Sequence, residues 1–128
     1  MLIDHISLAV SDLARSERFY RAALDPLGVS VHAHTDDSVT FARQRFDDFS
    51  IHPAHPAQLP LRPPVQSHFA FSAPSREAVD RFHAAALQEG GKDDGPPGLR
   101  PEYHANYYAA FVIDPDGYRI EAVCHEPA

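Results

Sequence analysis

The sequence contains no tryptophan, one methionine and one cysteine in 128 residues. A lone Cys124 closes no disulfide within the chain. The fold must therefore hold by packing, as expected in a reducing cytoplasm. Glycine is sparse, at six residues, which excludes glycine-rich low-complexity and collagen-like chains. No apolar run approaches the ~20 residues needed to cross a bilayer as a helix. The opening Met1-Leu2-Ile3-Asp4-His5 has no basic segment, apolar core or cleavage site, so no secretory signal is read there. Basic residues are also few: 11 Lys and Arg stand against 18 Asp and Glu, for a net charge of −7. Without a basic stripe, neither nucleic acid nor an anionic membrane is expected as a partner.

What remains is an ordinary globular composition, 44% hydrophobic and 23% charged. Its length suits one domain with one core. Nine histidines and twelve prolines stand out. The number of histidines alone says nothing about metal, but their placement does. His5 and His68 head two similar stretches, Asp4-His5-Ile6-Ser7-Leu8-Ala9 and Ser67-His68-Phe69-Ala70-Phe71-Ser72. The same separation sets Arg18 on Arg81, Phe19 on Phe82, Ala22-Ala23-Leu24 on Ala85-Ala86-Leu87, and Gly28 on Gly91. An internal repeat of this kind decides the fold before any single element does.

Leu2 to Val10 alternates like a strand, with Leu2, Ile6, Leu8 and Val10 on one face and Ile3, His5, Ser7 and Ala9 on the other. Ser11-Asp12 offers a helix cap, and Leu13, Ser16, Phe19, Tyr20, Ala23 and Leu24 recur at helical spacing. Asp25-Pro26-Leu27-Gly28 ends that helix. Three strands follow, over Val29 to His34, Ser38 to Gln44 and Phe49 to His52. Pro53 to Pro64 holds five prolines and reads as an extended linker, neither helix nor central strand. In the second copy, Ser75 caps a helix with Ala78, Val79, Phe82, Ala85 and Ala86 buried. Lys92 to Gly98 reads as a mobile polar loop, and Leu99 to His104 as a strand interrupted by Pro101. Tyr107 to Ile113 and Tyr118 to Cys124 form a hairpin around Asp114-Pro115-Asp116-Gly117.

The expectation is an α+β fold over residues 1–128. Module one covers about 1–54, the proline-rich linker about 55–65, and module two about 66–126. The two fused βαβββ modules would form a curved eight-stranded mixed sheet around a cavity, with the helices outside. Setting Ile120 on Ile51 places Glu121 opposite His52. Each copy then presents one donor from its first strand and one from its fourth on the inner face: His5, His52, His68 and Glu121. A pseudo-twofold axis would gather all four. Histidine and carboxylate donors suit a divalent metal such as Zn, Fe(II), Ni or Mn. Two His and one Glu leave coordination positions open for substrate or water.

The stretches Asp4 to Asp12, Phe19-Tyr20, Ser67 to Phe71, and Phe111 to Glu121 with its Asp-Pro-Asp-Gly turn resemble the vicinal oxygen chelate superfamily. That group holds glyoxalases, bleomycin resistance proteins and extradiol dioxygenases. The resemblance implies paired βαβββ modules, a divalent metal held by His5, His68 and Glu121, and a small-molecule substrate. Where glyoxalase I enzymes place a glutamate as fourth ligand, this chain has His52. The resemblance also implies a homodimer, since single-chain relatives of this length usually pair, and exposed sheet edges need covering. The expected activity is that of a glyoxalase-like lyase or isomerase, stabilising an enolate or similar oxyanion on the metal. The alternatives are an extradiol-type dioxygenase and a non-enzymatic drug-binding resistance protein. Tyr103, His104, Tyr107 and Tyr108 cluster before the seventh strand. Of these, Tyr108 or His104 is the candidate to orient substrate or to act as general acid or base beside Glu121. Arg100 and Arg119 are candidates to hold an anionic group.

Overall fold

The computed structural model describes residues 2–44 and 46–128. Eight strands and two long helices run in the order expected of two βαβββ units. Module one comprises β1 (Ile6–Val10), α1 (Leu13–Leu24), β2 (Ser30–Thr35), β3 (Ser38–Ala42) and β4 (Phe49–Pro53). Module two comprises β5 (His68–Ser72), α2 (Arg76–Gln88), β6 (Lys92–Leu99), β7 (Tyr108–Ile113) and β8 (Arg119–Cys124). The strands lie in two separate four-stranded sheets, ordered β1-β4-β3-β2 and β5-β8-β7-β6. In each sheet the outer pair β1/β4 or β5/β8 is parallel and the rest antiparallel.

The caps act as the sequence indicates. Asp12 accepts from the Arg15 amide at 3.1 Å and opens α1, and Ser75 accepts from the Ala78 amide at 3.1 Å and opens α2. A short 3-10 turn, Asp25–Leu27, follows α1 and stops at Gly28 in the left-handed region, φ 78°. At the matching position of the repeat, Gly91 has a different task. A Cβ there would stand 2.8 Å from the Ala86 carbonyl, the Phe19 ring and Val112, so only hydrogen fits between the end of α2 and module one.

The apolar faces of the two sheets and the helices share one core. Phe19, Tyr20, Phe41, Phe49 and Phe82 are fully buried in it, each stabilising by about 1.5–3 kcal/mol. Phe49 of β4 meets Phe69 and Phe71 of β5, with ring centroids 6.0 and 5.4 Å apart. The apolar faces of the sheets therefore turn toward each other. Because side chains alternate along a strand, the opposite faces, which carry Ser7, Ser50 and His52 in one sheet and His68 and Glu121 in the other, turn away from the common core.

Polar ties reinforce the joint. Arg43 donates to the Leu27 carbonyl at 2.6 Å and to the Ser72 carbonyl at 2.6 Å. The Tyr118 hydroxyl donates to the Ala9 carbonyl at 2.7 Å. The Asp114–Gly117 turn is docked on α1: Tyr20 donates to Asp114, while Ser11 and Arg15 donate to Asp116.

Four expectations change at this level. The stretch Pro53 to Pro64 is not all extended linker, since Pro53 ends the inner strand β4 beside Val10 and Pro56–Gln58 makes a 3-10 turn. Residues 2–5 alternate like a strand but lie outside β1, and Leu2 is almost wholly exposed. Lys92–Leu99 is strand β6 rather than a loop. Its glycines and prolines are absorbed by register shifts at Asp93/Gly95 and Gly95/Gly98. Residues 101–103 form a turn, not part of a strand. Among the described residues no helix is long and apolar enough to cross a membrane.

Candidate functional site

Glu121 lies in the middle of β8, opposite Ala70 of β5 and Phe111 of β7. Its neighbours Ile120 and Ala122 enter the common core, so the glutamate points from the other face. It is nevertheless only 1% exposed. His68, at the start of β5, meets Oε1 with its Nε2 at 2.9 Å. The Tyr107 hydroxyl donates to Oε2. The His68 ring rests edge-on against Phe111, centroids 5.8 Å apart. The carboxylate thus has one partner on each oxygen, and neither is a lysine or arginine.

His5, just before β1, sits 2.8 Å from Asp4 and borders the same cavity of about 600 Å³ as His68. Arg43, Phe49, Phe69 and Phe71 also line that cavity. His52, at the exposed end of β4, meets the Ser7 hydroxyl at 3.2 Å. Cross-strand register puts Thr40, Ser50 and Ser7 in one row beside it, a hydroxyl-bearing, uncharged surface. Among the described residues no three His, Cys, Asp or Glu side chains converge as a complete metal site would require. Among the described contacts of the four predicted donors, His68 and Glu121 meet directly.

Of the acid–base candidates, Tyr108 faces the helix side of its sheet, opposite Cys124. Its hydroxyl donates to Asp80 at 2.6 Å, and that bond, with burial, raises its pKa. Arg76 stacks on its ring at 5.3 Å. His104 is exposed: its Nδ1 accepts from the Asn106 amide, and its Nε2 meets His125 Nδ1 at 2.8 Å. Both imidazoles pack on the Tyr107 ring, at 5.5 and 5.3 Å. Arg119 is committed to Asp94 at 2.8 Å. Arg100 is tied to the Gly98 and Pro96 carbonyls and lies over the Phe111 ring.

The tyrosine on Glu121 is therefore Tyr107, not Tyr108. Strand parity carried the signal: Tyr107, Ala109 and Phe111 fall on one face, and Phe111 is directly opposite Glu121. Burial, and then the bond to Glu121, pushes the Tyr107 hydroxyl well above the usual tyrosine range.

The comparisons with known proteins agree with this architecture. The family model described as Glyoxalase/Bleomycin resistance protein/Dioxygenase superfamily matches residues 2–122. A glyoxalase/bleomycin resistance protein from Albidiferax ferrireducens T118 is 30% identical, with TM-score 0.85, over 99% of this chain and 100% of that one. A glyoxalase-related enzyme from Fulvimarina pelagi shares the fold at 18% identity and TM-score 0.68, covering 97% and 88% of the two chains. The fosfomycin resistance protein FosX from Listeria monocytogenes does so at 18% identity and TM-score 0.71, covering 98% and 94%. No curated protein matches the sequence. With a family match that spans both modules and a fold that repeats βαβββ twice, the chain belongs to the Glyoxalase/Bleomycin resistance protein/Dioxygenase superfamily.

Proposed function

We propose that this chain is a metal-dependent enzyme of its superfamily, a glyoxalase-like lyase or isomerase acting on a small oxygen-bearing molecule chelated to a divalent ion. The observation that carries the reading is Glu121. It is a buried carboxylate turned away from the core, with His68 Nε2 at 2.9 Å and, among the described residues, no lysine or arginine partner. A carboxylate buried without a full positive charge is costly. A divalent ion beside Oε1 and Nε2 would supply that charge, and imidazole with carboxylate suits Zn, Fe(II), Ni or Mn. Such an ion, when bound, polarises a substrate oxygen or lowers the pKa of its water to ~7. A FosX variant of the same fold was crystallised with Mn(II) and 1S,2S-dihydroxypropylphosphonic acid, a pairing that supports a divalent ion and a small oxygen-rich ligand here.

The ligand set is completed in our reading by a second copy of the chain. The faces that carry His52 in one sheet and His68 with Glu121 in the other turn away from the common core, and a homodimer that stacks one such face on the other would bring these donors together. The hydroxyl row Thr40, Ser50 and Ser7 would form the facing wall. His104 is our acid–base candidate: its ring packs on that of Tyr107, whose hydroxyl is bonded to Glu121. Lyase or isomerase chemistry ranks above oxygenation because His52 offers a fourth donor. The buried free thiol of Cys124 is compatible with a cytoplasmic protein.

The test is metal content by mass spectrometry on protein purified without chelator or metal-affinity resin, wild type beside Glu121→Ala. About one Zn, Ni or Mn per chain, lost in the variant, is the expected result. Iron instead would direct the work to catechol-type ring cleavage. A wild type that takes up no metal even on reconstitution would leave ligand sequestration as the function.

A further inference from the structure

The two oxygens of Glu121 are held differently. Oε1 faces His68 Nε2 at 2.9 Å, and Oε2 accepts the Tyr107 hydroxyl. The phenol is itself fixed. Its ring packs on Tyr103, with centroids 4.8 Å apart, and is flanked by His104 and His125. Those two imidazoles are locked to each other at 2.8 Å, and His104 is locked to the chain through the Asn106 amide at 3.0 Å. A cluster of four rings thus holds one hydroxyl on one carboxylate oxygen. A carboxylate whose second oxygen is taken by a fixed O–H donor has one oxygen left to offer a cation.

We infer that Tyr107 is a positioning residue that makes Glu121 a one-oxygen ligand, reserving Oε1 for the ion and leaving one coordination position free for substrate. The inference rests on the metal reading above. Hydrogen-bond partners behind a ligand set its orientation, and their loss typically lowers metal affinity by about 10–100-fold. Tyr107→Phe keeps every ring contact and removes only the donor. Glu121 can then swing or close on the ion with both oxygens.

The experiment uses Co(II) as the probe, titrated into wild-type and Tyr107→Phe protein against a chromophoric chelator, with the visible d–d spectrum recorded. The expected result is a loss of roughly 10–100-fold in Co(II) affinity in the variant, together with a weaker d–d band, the sign of a higher coordination number. The thermal midpoints of both metal-free proteins separate this from a folding defect, since a purely structural tyrosine would move the midpoint and leave the spectrum alone. A second measurement needs no variant. In Co(II)-loaded wild type with ¹³C-labelled glutamate, a wide separation of the two carboxylate stretches is expected for one-oxygen ligation. A narrow separation, or a variant with unchanged affinity and spectrum, would overturn the role of Tyr107 and leave the metal reading standing. A wild type that binds no Co(II) would overturn both.

Discussion

Asp114 is 3% exposed and sits at the first corner of the turn that joins β7 to β8. Its Oδ1 accepts the amides of Asp116 and Tyr118, both at 2.9 Å, and its Oδ2 accepts the buried Tyr20 hydroxyl. Burial raises its pKa above the ordinary 3.8, and those three donors offset only part of the rise. The folded state therefore binds a proton more tightly than the unfolded chain. This group's contribution to stability is fully present below the ordinary aspartate range and is lost as pH rises through the raised value. Asp114→Asn keeps an acceptor for the two amides and removes the titration. The thermal midpoint of wild type minus that of the Asn variant should accordingly grow more positive between pH 8 and pH 4. A constant difference would show that Asp114 does not titrate differently in the folded state. Asp114→Ala removes all three bonds and strands the Tyr20 hydroxyl in the core. That should cost about 2–4 kcal/mol, or roughly 10 °C in Tm at this length.

At the scale of elements, the joint between the modules depends on Arg43. Its guanidinium spans the carbonyl of Leu27, after α1, and that of Ser72, at the end of β5. A lysine at this position is a point charge on a flexible stem and cannot reproduce the fork. Arg43→Lys should lower stability by about 1–3 kcal/mol and speed amide exchange along His68–Ser72 relative to Val112 and Ile120 in the core. Uniform exchange across the chain would show that the clamp is not local. Periodicity and caps made both helices and most strands legible, because Phe19 with Tyr20 and Val79 with Phe82 mark their buried faces unambiguously. Strand β6 was not legible. Lys92-Asp93-Asp94-Gly95-Pro96-Pro97-Gly98 has the composition of a loop and is held as an edge strand by β7 alone, with its irregular register. The repeat also hid a difference. Gly28 and Gly91 align in sequence, yet the left-handed residue after α2 is Gly90, and Gly91 is needed for close approach to Phe19.

For the whole molecule, strand alternation placed His68 and Glu121 on one face, and the structure brings them to 2.9 Å. A repeat, however, says that two modules are alike and not how they dock. Here Phe49 packs on Phe69 and Phe71, so the apolar faces join within the chain and the faces that carry His52 and Glu121 turn outward. That geometry makes a sharp prediction for the proposed dimer. Consider His5→Ala and Glu121→Ala chains, co-expressed with two different tags and purified through both, so that only mixed dimers remain. In a twofold dimer whose sites each take His5 from one chain and Glu121 from the other, one site collects both substitutions and the second collects neither. Each parent variant alone should hold little metal, whereas the mixed dimer should recover about half of the wild-type content per chain. A site closed within one chain would be damaged in every subunit of that dimer, and no metal would return. Failure to capture any doubly tagged species would refute the dimer itself. Recovery of metal in the mixed dimer, from two proteins that each lack it, would have no explanation except ligands contributed across the subunit boundary.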